Sequence, residues 1–548
     1  MKLPFRRVAQ AFCLIVFLYV LFSGGWSDRA DATRENNLLS GPLGLFLRLD
    51  PLVGISTTLA ARAMSWSLVT AGAVLLIGMV FPRWFCGYIC PLGTLIDTTD
   101  WSINRHIKRF RLKSETRWFY LRFHLLIGIL TAAVFGVLVS GFAAAIPVLT
   151  RGIVSLAAPL QDDLFSGRSS AVALTGGQIA SIVIFVGILA LGLLRPRFWC
   201  AYLCPSGALL GLAGRLSLFR RRVEPSCIDC GRCLRQCSFN AIAPDYSTRD
   251  MNCTVCRNCE AVCPKQAFRF GWRWNRKQKA SGDPTTTTAS LNSRRLFLLS
   301  LIGTAGTGAA AAAGIRWDRG RYTNTFPIRP PGSLPEDRFR AQCVRCGECL
   351  KICPSRVLQP SGLELGLDGL WTPVIKADIA GCQSSCTNCG QVCPTGAIRN
   401  LPLEEKRAAR IGLAQVNETT CLPHTEKDVC GLCYEACAAA GYHAIEYRRI
   451  GIQYDNRNRP IADSGFLAPV VLEEKCVGCG LCQASCYAAN VKESELLEKA
   501  AIQITAGTGR EDRIISGSYI ELRNERTRLR QPNPPAQIDN EYLPDFLQ

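Results

Sequence analysis

The sequence has few charged residues and few histidines. Only 19% of its 548 residues are charged, acidic side chains number 43 against 63 basic ones, and there are four histidines. It contains no C-x-x-C-H motif, which disfavours covalently attached haem. It also contains nothing that resembles a hydrolytic triad, a Walker loop or a dinucleotide-binding fingerprint. Hydrolases and nucleotide-dependent enzymes are therefore disfavoured.

What the sequence has instead is a high content of apolar residues. Hydrophobic residues make up 48% of the chain, and the mean hydropathy is positive at +0.13. A chain of this size is too long for one domain, so we expect several domains and some membrane-embedded segments. The formal net charge of +20 then has to be examined loop by loop, because basic residues mark one side of a membrane.

Four segments have the length and apolarity of membrane-spanning helices. They cover roughly residues 8–22, 66–81, 119–140 and 176–194. Basic residues are concentrated before the first span, between the second and third spans, and after the fourth, whereas acidic residues offset them in the other two loops. By the positive-inside rule, the N-terminus and the residues after about 195 should be cytoplasmic. Nucleic-acid binding is not expected.

A fifth apolar stretch, residues 296–315, is rich in Ala, Gly and Thr. It begins within the sequence Ser293-Arg294-Arg295-Leu296-Phe297-Leu298. This sequence resembles a bacterial twin-arginine export signal. The alternative is an ordinary fifth helix with basic flanks, and either interpretation places the following residues in the periplasm. We therefore expect a protein of the bacterial inner membrane.

Cysteine is the most unevenly distributed residue, because 24 of the 29 cysteines fall into six runs of four. Runs 1, 2, 3 and 6 in chain order have the spacing C-x2-C-x2-C-x3-C, and runs 4 and 5 have a wider first gap. The runs are Cys227, Cys230, Cys233, Cys237 (run 1); Cys253, Cys256, Cys259, Cys263 (run 2); Cys343, Cys346, Cys349, Cys353 (run 3); Cys382, Cys386, Cys389, Cys393 (run 4); Cys421, Cys430, Cys433, Cys437 (run 5); Cys476, Cys479, Cys482, Cys486 (run 6).

This spacing is typical of proteins that bind 4Fe–4S clusters. The first three thiolates of a run hold one cluster and the fourth is directed at a second cluster, so each run needs a partner run. Runs 1 and 2 pair simply if each lends its fourth cysteine to the other. They predict a compact cytoplasmic ferredoxin with two clusters.

Runs 3 to 6 supply enough thiolates for four further clusters, which gives six in all, two cytoplasmic and four periplasmic. The spacing does not decide which of these runs pair. Analogy favours a nested arrangement, with run 3 against run 6 and run 4 against run 5, over the pairing of neighbours. Zinc ribbons use paired C-x2-C units, and disulfides would not explain the same pattern on the reducing side of the membrane. We therefore expect all 24 cysteines to be iron ligands.

Four more cysteines form an internal repeat after the second and fourth predicted spans. Its copies are Arg83-Trp84-Phe85-Cys86-Gly87-Tyr88-Ile89-Cys90-Pro91 and Arg197-Phe198-Trp199-Cys200-Ala201-Tyr202-Leu203-Cys204-Pro205. A C-x3-C spacing places two thiols on one face of a helix, which the proline then ends. The candidate catalytic residues Cys86, Cys90, Cys200 and Cys204 bind an additional metal or cluster, cycle between dithiol and disulfide, or merely pack at a helix end.

His124 is the fifth candidate catalytic residue, because it is the only histidine inside a predicted span. An ionisable side chain within a membrane is a functional candidate by default, and His124 could accept a proton from a quinol. The alternative is that it extends to the membrane interface without a chemical role.

The order of these parts resembles two known families. Residues 1–275 are similar to NapH/MauN-type membrane ferredoxins, the membrane component of a quinol dehydrogenase, with four helices, two C-x3-C-P motifs and a cytoplasmic two-cluster ferredoxin. Residues 290–490 are similar to NapG/MauM-type periplasmic polyferredoxins, in which a twin-arginine signal precedes four cysteine runs. The third of those runs has the widened gap seen here between Cys421 and Cys430. These families are separate subunits, and their fusion leaves open whether the signal is cleaved.

The resemblance implies electron transfer from a membrane quinol through iron–sulfur clusters to a periplasmic acceptor such as nitrate reductase. The implied partners are the lipid bilayer, the quinol and a periplasmic cytochrome or terminal reductase. One alternative is a maturation factor that reduces a metal during oxidase assembly, against which the four extra clusters weigh. Another is a regulatory membrane ferredoxin, whose flavin domain would not fit in the loop at residues 23–65.

The predicted fold is an α-helical membrane domain, with four spans and a fifth signal or anchor helix, joined to two α+β domains of the bacterial ferredoxin type. The predicted boundaries are 1–220 for the membrane domain, 221–275 for the cytoplasmic ferredoxin, 276–292 for a linker, 293–316 for the signal or fifth helix, 317–495 for the periplasmic four-cluster domain, and 496–548 for a C-terminal extension.

Overall fold

The computed structural model describes residues 5–23, 44–64, 66–107, 120–166, 175–273, 289–321, 326–453, 455, 457, 461 and 464–530. The chain divides into two compact units. The first comprises Met1–Pro327, Glu336–Val374 and Asn388–Asn400, and the second comprises Ile328–Pro335, Ile375–Thr387 and Leu401–Gln548. Runs 1 to 3 therefore lie in the first unit, runs 5 and 6 lie in the second, and run 4 is divided between them.

Three helices of the first unit are long and apolar enough to cross a membrane. They are Phe5–Phe22, Gly176–Leu193 and Leu298–Trp317. Shorter helices in the same part of the chain are Leu45–Arg48, Pro91–His106, Ser140–Ala143 and Pro205–Gly214, with π-helical turns at Phe85–Ile89 and Trp199–Leu203. The first two long helices coincide with predicted spans, and the third contains most of the predicted fifth stretch.

The other two predicted spans form shorter helices than hydropathy indicated. They are Trp66–Val80, with 15 residues, and Leu121–Val134, with 14. At about 1.5 Å per residue each is roughly 21–22 Å long, less than the ~30 Å hydrocarbon core of a typical bilayer. Helix Leu121–Val134 ends because Gly136 is left-handed (φ 77°) and donates its amide to the Ala133 carbonyl.

Two further apolar helices lie in segments that were predicted to be loops. Helix Pro51–Ala61 lies between the first and second predicted spans, and helix Ala145–Ser166 lies between the third and fourth. The fully buried Asp50 caps the first of them by accepting the amide two residues later at 3.1 Å. Inside that helix, the Thr57 hydroxyl donates to the carbonyl four residues earlier at 2.7 Å. The apolar part of each helix, residues 51–61 and 145–157, is shorter than the ~20 residues that a membrane span needs, so the search for spans did not find them.

The N-terminal ferredoxin, residues 219–273, is a small α+β domain around runs 1 and 2. Its elements are strands β1 (Phe219–Val223) and β2 (Phe268–Trp272), which pair antiparallel, and the helices Arg232–Gln236 and Asn258–Ala261. The Leu218 amide, just before β1, donates to the Met79 carbonyl at 3.0 Å. The domain is therefore joined directly to the end of helix Trp66–Val80.

The predicted fifth stretch belongs to one helix, Ala289–Arg321, which packs on helix Leu121–Val134. A Cβ on Gly308 would lie 3.3 Å from the backbone of Gly128, so the two helices meet at glycines. The twin-arginine residues are helical, and their side chains lie outside the described part of the chain. The first unit is completed by helices Glu336–Gln342, Glu348–Ile352 and Asn388–Gln391 and by the pair of strands β3 (Leu358–Pro360) and β4 (Pro373–Ile375).

The second unit is built on two antiparallel strand pairs around runs 5 and 6. Its elements are β5 (Leu413–Val416), β6 (Ile445–Ile450), β7 (Phe466–Val471), β8 (Ile502–Thr505), the helices Leu403–Ala408, Leu432–Ala439, Leu481–Cys486 and Tyr519–Arg530, and a π-helix at Tyr487–Glu493. Strand β8 pairs with β5, and β6 pairs with β7. Strand β8 lies beyond the boundary predicted at residue 495, and it completes the iron–sulfur domain by strand pairing.

Candidate iron–sulfur and membrane cysteine sites

The four cysteine runs with regular spacing share one backbone conformation. In each, the residues immediately before and after the second cysteine are left-handed. These pairs are Asp229 and Gly231, Val255 and Arg257, Arg345 and Gly347, and Gly478 and Gly480, with φ between 52° and 84°. This conformation is rare for Val or Arg, so its recurrence marks a specific loop that wraps three thiols around one site. Runs 4 and 5, with their wider first gap, lack it.

The N-terminal ferredoxin brings together cysteines from both of its runs. A cavity of about 460 Å³ is lined by Cys237, Cys253, Cys256 and Cys259. Cys227 and Cys263 interact electrostatically with each other. The amides of Ala241 and Ala267 donate to the sulfurs of Cys237 and Cys263, both at 3.3 Å. These residues could hold two clusters with exchanged fourth ligands.

Within the first unit, run 3 pairs with the end of run 4. A cavity of about 410 Å³ is lined by Cys343, Cys346 and Cys349 together with Cys393. The Ile398 amide donates to the Cys393 sulfur at 3.4 Å. The fourth cysteine of this site therefore comes from the next run along the chain.

Within the second unit, run 5 pairs with the end of run 6. A cavity of about 360 Å³ is lined by Cys421, Cys430 and Cys433 together with Cys486. The Asn490 amide nitrogen lies 3.7 Å from the Cys486 sulfur and 3.8 Å from that of Cys430. The nested pairing is therefore wrong, and neighbouring runs pair. Closing a shorter connection costs less chain entropy, which is the physical reason to expect neighbours.

Run 4 also meets run 6 inside the second unit. The Cys382 amide donates to the Cys479 carbonyl at 2.7 Å. A Cβ on Gly381 would lie 2.6 Å from the Cα of Leu481, so only glycine fits there. Within the second unit, the start of run 4 is therefore in direct contact with the loop of run 6.

The chemistry of these thiols fits an iron–sulfur cluster better than zinc. Burial raises the pKa of Cys253 to about 12 and the pKa of Cys259 to about 11, so the loss of their protons would accompany metal binding. Zinc ribbons use paired C-x2-C units. Here each cavity is lined by three cysteines of one run and one cysteine of a neighbouring run, which is the donor set of a 4Fe–4S cluster.

The two C-x3-C-P segments have the same conformation. Each begins at a left-handed arginine, Arg83 (φ 48°) or Arg197 (φ 53°), and continues as a π-helical turn. Each ends at a cysteine, Cys90 or Cys204, that is the N-cap of an α-helix with proline in its first turn. The sequence repeat is therefore also a structural repeat.

Asp97 connects this region to the first helix. Its carboxylate accepts hydrogen bonds from Arg6 at 2.8 Å, from Gln10 at 2.9 Å and from the fully buried Arg197. Burial favours a raised pKa for Asp97, but Arg197 and Arg6 outweigh it and keep the pKa below its usual value. Asp97 is therefore ionised and neutralises Arg197.

His124 lies against the fifth helix. Its Nδ1 atom is 2.8 Å from the Thr304 hydroxyl, close to the contact between Gly128 and Gly308. This hydrogen bond gives His124 a role in helix packing. Proton transfer from a quinol to His124 stays a prediction.

Both cysteine cavities of the first unit adjoin its helices. The Tyr88 hydroxyl donates to the Val255 carbonyl of run 2 at 2.9 Å. The Thr150 hydroxyl donates to the Cys346 carbonyl of run 3 at 3.1 Å. Each of these two candidate cluster sites is therefore held by its own cysteine loop against the apolar helices of the first unit. These helices are called the membrane part below.

Several side chains at these sites were not among the predicted residues. Asn490 contacts two cysteine sulfurs, and Arg345 is fully buried beneath run 3. Arg83 and Arg197 are also fully buried. The sequence held a signal for the last two, because they occupy the same place in the two copies of the repeat. It held no comparable signal for Asn490.

Comparison with protein families supports iron–sulfur binding. The family described as 4Fe-4S binding domain matches residues 63–109 and 178–225, once on each copy of the repeat. The family described as 4Fe-4S dicluster domain matches residues 342–397, which contain runs 3 and 4. No solved structure matches the chain.

Curated relatives are ferredoxin-type proteins. NapG of Escherichia coli is 33% identical over 218 residues, which cover 39% of this chain and 85% of NapG. The methylamine utilization protein MauM of Methylorubrum extorquens is 35% identical over 164 residues, 29% of this chain and 67% of MauM. NapH of Haemophilus influenzae is 26% identical over 285 residues, 49% of this chain and 89% of NapH. The chain therefore belongs to the NapG/MauM family of ferredoxin-type proteins, with a similarity to NapH that is consistent with a NapH–NapG-like fusion.

Proposed function

We propose that this protein takes electrons from a membrane quinol and passes them through iron–sulfur clusters to a periplasmic acceptor such as nitrate reductase. Its membership of a ferredoxin-type family supports electron transfer in general. The relatives NapG and NapH are named as ferredoxin-type proteins, and MauM is named for methylamine utilization.

The observation that carries the proposal is the position of cluster sites at both ends of one helix. At the start of helix Leu121–Val134, Arg122 donates to the side-chain oxygen of Asn252 in the N-terminal ferredoxin at 2.6 Å. Just past its end, the Leu138 carbonyl accepts a hydrogen bond from Arg345 in run 3. A protein that moves electrons across a membrane needs redox groups on both sides of it.

The proposed orientation has the N-terminal ferredoxin in the cytoplasm and runs 3 to 6 in the periplasm of a bacterial inner membrane. It uses the four hydropathy-based spans and the helix Ala289–Arg321 as a fifth. The basic loops on the side of the N-terminal ferredoxin support it. The twin-arginine sequence at the start of the fifth helix would provide export of the cluster-containing domain.

We propose six ligand sets for 4Fe–4S clusters, from the exchange of fourth cysteines between neighbouring runs. Five sets each lie within one unit: Cys227, Cys230, Cys233, Cys263; Cys237, Cys253, Cys256, Cys259; Cys343, Cys346, Cys349, Cys393; Cys421, Cys430, Cys433, Cys486; and Cys437, Cys476, Cys479, Cys482. The sixth cluster is assigned by number alone to the four cysteines of runs 3 and 4 that are left, Cys353, Cys382, Cys386 and Cys389. When bound, such clusters accept and release single electrons.

The residues around these sets position the thiols and adjust their environment. Backbone amides such as those of Ala241 and Ala267 donate to cysteine sulfurs, which favours the thiolate form. Asn490 does the same with its side chain near Cys486. Inside the second unit, the hydrogen bond between the backbones of Cys382 and Cys479 holds the start of run 4 against run 6.

The test is anaerobic reconstitution of the full chain in lipid nanodiscs, followed by addition of a reduced menaquinol analogue. Cluster absorbance and paramagnetic resonance are recorded together with the iron content. We expect at least about 24 irons per chain and reduction of the clusters by the quinol. The variant Cys13→Ser, at the lone cysteine of the first helix, should behave like the wild type.

Full iron content without a response to quinol would overturn the proposal. Electrons would then enter from a cytoplasmic donor, as in a maturation factor or a regulatory membrane ferredoxin. A chain with far fewer irons would overturn the six-cluster assignment instead.

A further inference from the structure

Two of the cysteine cavities differ in the charge of the side chains that line them. The N-terminal cavity is the one that contains Cys237, Cys253, Cys256 and Cys259. Besides these cysteines, its lining includes three arginines, which are Arg6, Arg221 and Arg257. The second-unit cavity is the one that contains Cys421, Cys430, Cys433 and Cys486, and no charged side chain is found in the rest of its described lining. The two cavities therefore offer different electrostatic surroundings to the same kind of cluster.

Two of the three arginines have a carboxylate partner of their own. Arg6 lies 2.8 Å from Asp97, and Arg257 lies 2.6 Å from Glu260. Arg221 is different, because within the described residues its side chain donates only to uncharged oxygens. The charge of Arg221 is therefore the one that the protein itself leaves uncompensated at this cavity.

Strand β1 and neutral groups hold Arg221 in place. It is the middle one of three consecutive arginines on β1, and since side chains alternate along a strand, it alone of the three is buried. Its Nη1 atom donates to the Tyr246 carbonyl at 3.1 Å and to the Thr248 hydroxyl at 2.9 Å. The Phe268 ring lies 4.2 Å from its guanidinium carbon. Its buried Nε and Nη2 atoms have no hydrogen bond in the described part of the chain. The guanidinium is therefore fixed in position with two donor atoms unused.

A fixed and buried positive charge has two physical consequences. It is costly without a counter-charge, and it acts strongly on its neighbours because buried surroundings screen it less than water does. Burial raises the pKa of the Cys259 thiol, and Arg221 opposes this rise more than any other group does. A cluster bound by four thiolates is negatively charged, so its presence in the N-terminal cavity would compensate Arg221.

We propose that Arg221 is the counter-charge of the cluster in the N-terminal cavity and raises its reduction potential above that of the cluster in the second-unit cavity. When a cluster accepts one electron, no bond forms or breaks and its net negative charge grows by one unit. A nearby positive charge stabilises the reduced form more than the oxidised form, so it raises the potential. Hydrogen bonds to sulfur act in the same direction, but both cavities have them, from the Ala241 amide and from Asn490.

The order of the two potentials decides where an electron settles. At equilibrium, an electron occupies the cluster of the N-terminal cavity before that of the second-unit cavity. In the proposed function, on which this last step rests, the donor of the electron is the quinol. The N-terminal ferredoxin then stores the electron that the quinol supplies.

The test is an anaerobic redox titration of the full chain in nanodiscs, with dithionite as the reductant, dye mediators and no quinol. Paramagnetic resonance follows each cluster as it is reduced. In Arg221→Gln, we expect one cluster to be reduced at a lower potential than in the wild type, while the others are unchanged. The matched control is Arg222→Gln, the same change on the same strand at a side chain that does not line the cavity, and it should shift no potential. Unchanged potentials in Arg221→Gln would overturn the proposal.

Two further variants separate the charge of Arg221 from its packing and identify the affected cluster. Arg221→Lys keeps the positive charge but loses the planar guanidinium, so its potentials should stay close to those of the wild type. Equal shifts for Lys and Gln would mean that only the structural role of Arg221 matters. In a chain that carries Cys253→Ser/Cys256→Ser, the change Arg221→Gln should shift no remaining signal. A shift that persists there would place the effect at another cluster and contradict the proposal.

A second measurement uses the wild-type chain and does not depend on the folding of a variant. The arginine side chains are labelled with 15N, and hyperfine spectroscopy is applied to the first cluster that becomes paramagnetic in the titration. We expect a coupling to arginine nitrogen, which the cluster of the second-unit cavity should lack because no arginine lines that cavity. A first signal without this coupling would contradict the proposed order of potentials. None of these measurements involves quinol, so a failure of the proposed function would be seen separately.

Discussion

Two cysteine loops contact the membrane part of the first unit, and they do so in the same way but with unequal numbers of hydrogen bonds. Loop A is residues 253–256 of run 2, and loop B is residues 343–346 of run 3. Each has a left-handed residue at its third position, Val255 or Arg345. Each also lies against a glycine, Gly87 or Gly141, where a Cβ would come within 3.2 Å or 2.1 Å of the loop.

Among the described residues, loop A itself has one side-chain hydrogen bond to the membrane part, from Tyr88, and Asn252 just before it accepts another from Arg122. Loop B has three that cross between it and the helices, from Thr150, Arg151 and Arg345. Loop A belongs to a domain that continues directly from a helix end, whereas loop B follows the long segment that contains the fifth helix. Loop B therefore has more side-chain hydrogen bonds to the helices, as expected for a loop that lacks a short covalent connection to them.

The largest expected effect is that of Arg345→Leu. This change removes the buried hydrogen bond to Leu138 and the ion pair with Asp368 at 3.2 Å. Breaking a buried ion pair costs about 3–5 kcal/mol. We expect loop B to lose protection in hydrogen–deuterium exchange of the full chain in nanodiscs, while loop A keeps its protection. The exposed Arg338→Leu is the control, and equal protection of loop B in both variants would contradict this account.

The two loops can be compared directly by adding one methyl group to the glycine that faces each of them. Gly141→Ala places a Cβ against the backbone oxygen of Val344, which cannot move far, so we expect a cost of about 1–3 kcal/mol. Gly87→Ala meets the side chain of Thr254 at 3.2 Å and should cost less. Exchange rates of the two loops measure both changes. A larger effect for Gly87→Ala would invert the comparison.

A further prediction concerns helix Ala289–Arg321, which precedes loop B in the chain. It tests whether the packing of this helix on helix Leu121–Val134 stabilises the protein. Gly308→Leu should separate this helix from Gly128 at a cost of about 1–3 kcal/mol and lower the temperature at which the solubilised chain aggregates. Gly306→Leu is the matched control, because no atom lies within 4 Å of its added Cβ. Similar aggregation temperatures for the two variants would show that the packing contributes nothing to stability.

The smallest expected effect is that of Tyr88→Phe, which removes the single side-chain bond to loop A. A neutral hydrogen bond contributes about 0.5–1.5 kcal/mol. Exchange of loop A should rise slightly and that of loop B should not change. In the control Tyr246→Phe, the lost bond is to Asp229 in run 1, so loop A should keep its protection. A large loss in Tyr88→Phe would mean that covalent continuity does not hold loop A.

The cysteine loops and the internal repeat were predictable from the sequence because both are set by local spacing. Cysteines three positions apart, such as Cys253 and Cys256 with the left-handed Val255 between them, have the same turn in each of the four runs with regular spacing. The helix Pro51–Ala61 was not found from the sequence, because its 11 residues are too few for a membrane span although they are apolar.

The nested pairing failed for a related reason. The spacing of the cysteines requires that each run have a partner run, but it does not determine which run that is. The partner of run 3 became visible only when Cys393 was found in the same cavity as Cys346. In the same way, Asn490 was recognisable as a cysteine neighbour only after folding placed it beside Cys430, 60 residues earlier in the chain.

Short-range order along the chain thus specified the number and type of the cysteine loops, the two C-x3-C-P segments and the family. Folding specified which loops share a cavity, which ends of helix Leu121–Val134 they contact, and that the buried Arg83 donates to the carbonyl of Cys200 in the other copy of the repeat. The reason is physical. A turn depends on the φ and ψ angles of a few consecutive residues, whereas a shared cavity depends on long-range closure, whose free energy is the sum of many distant contacts.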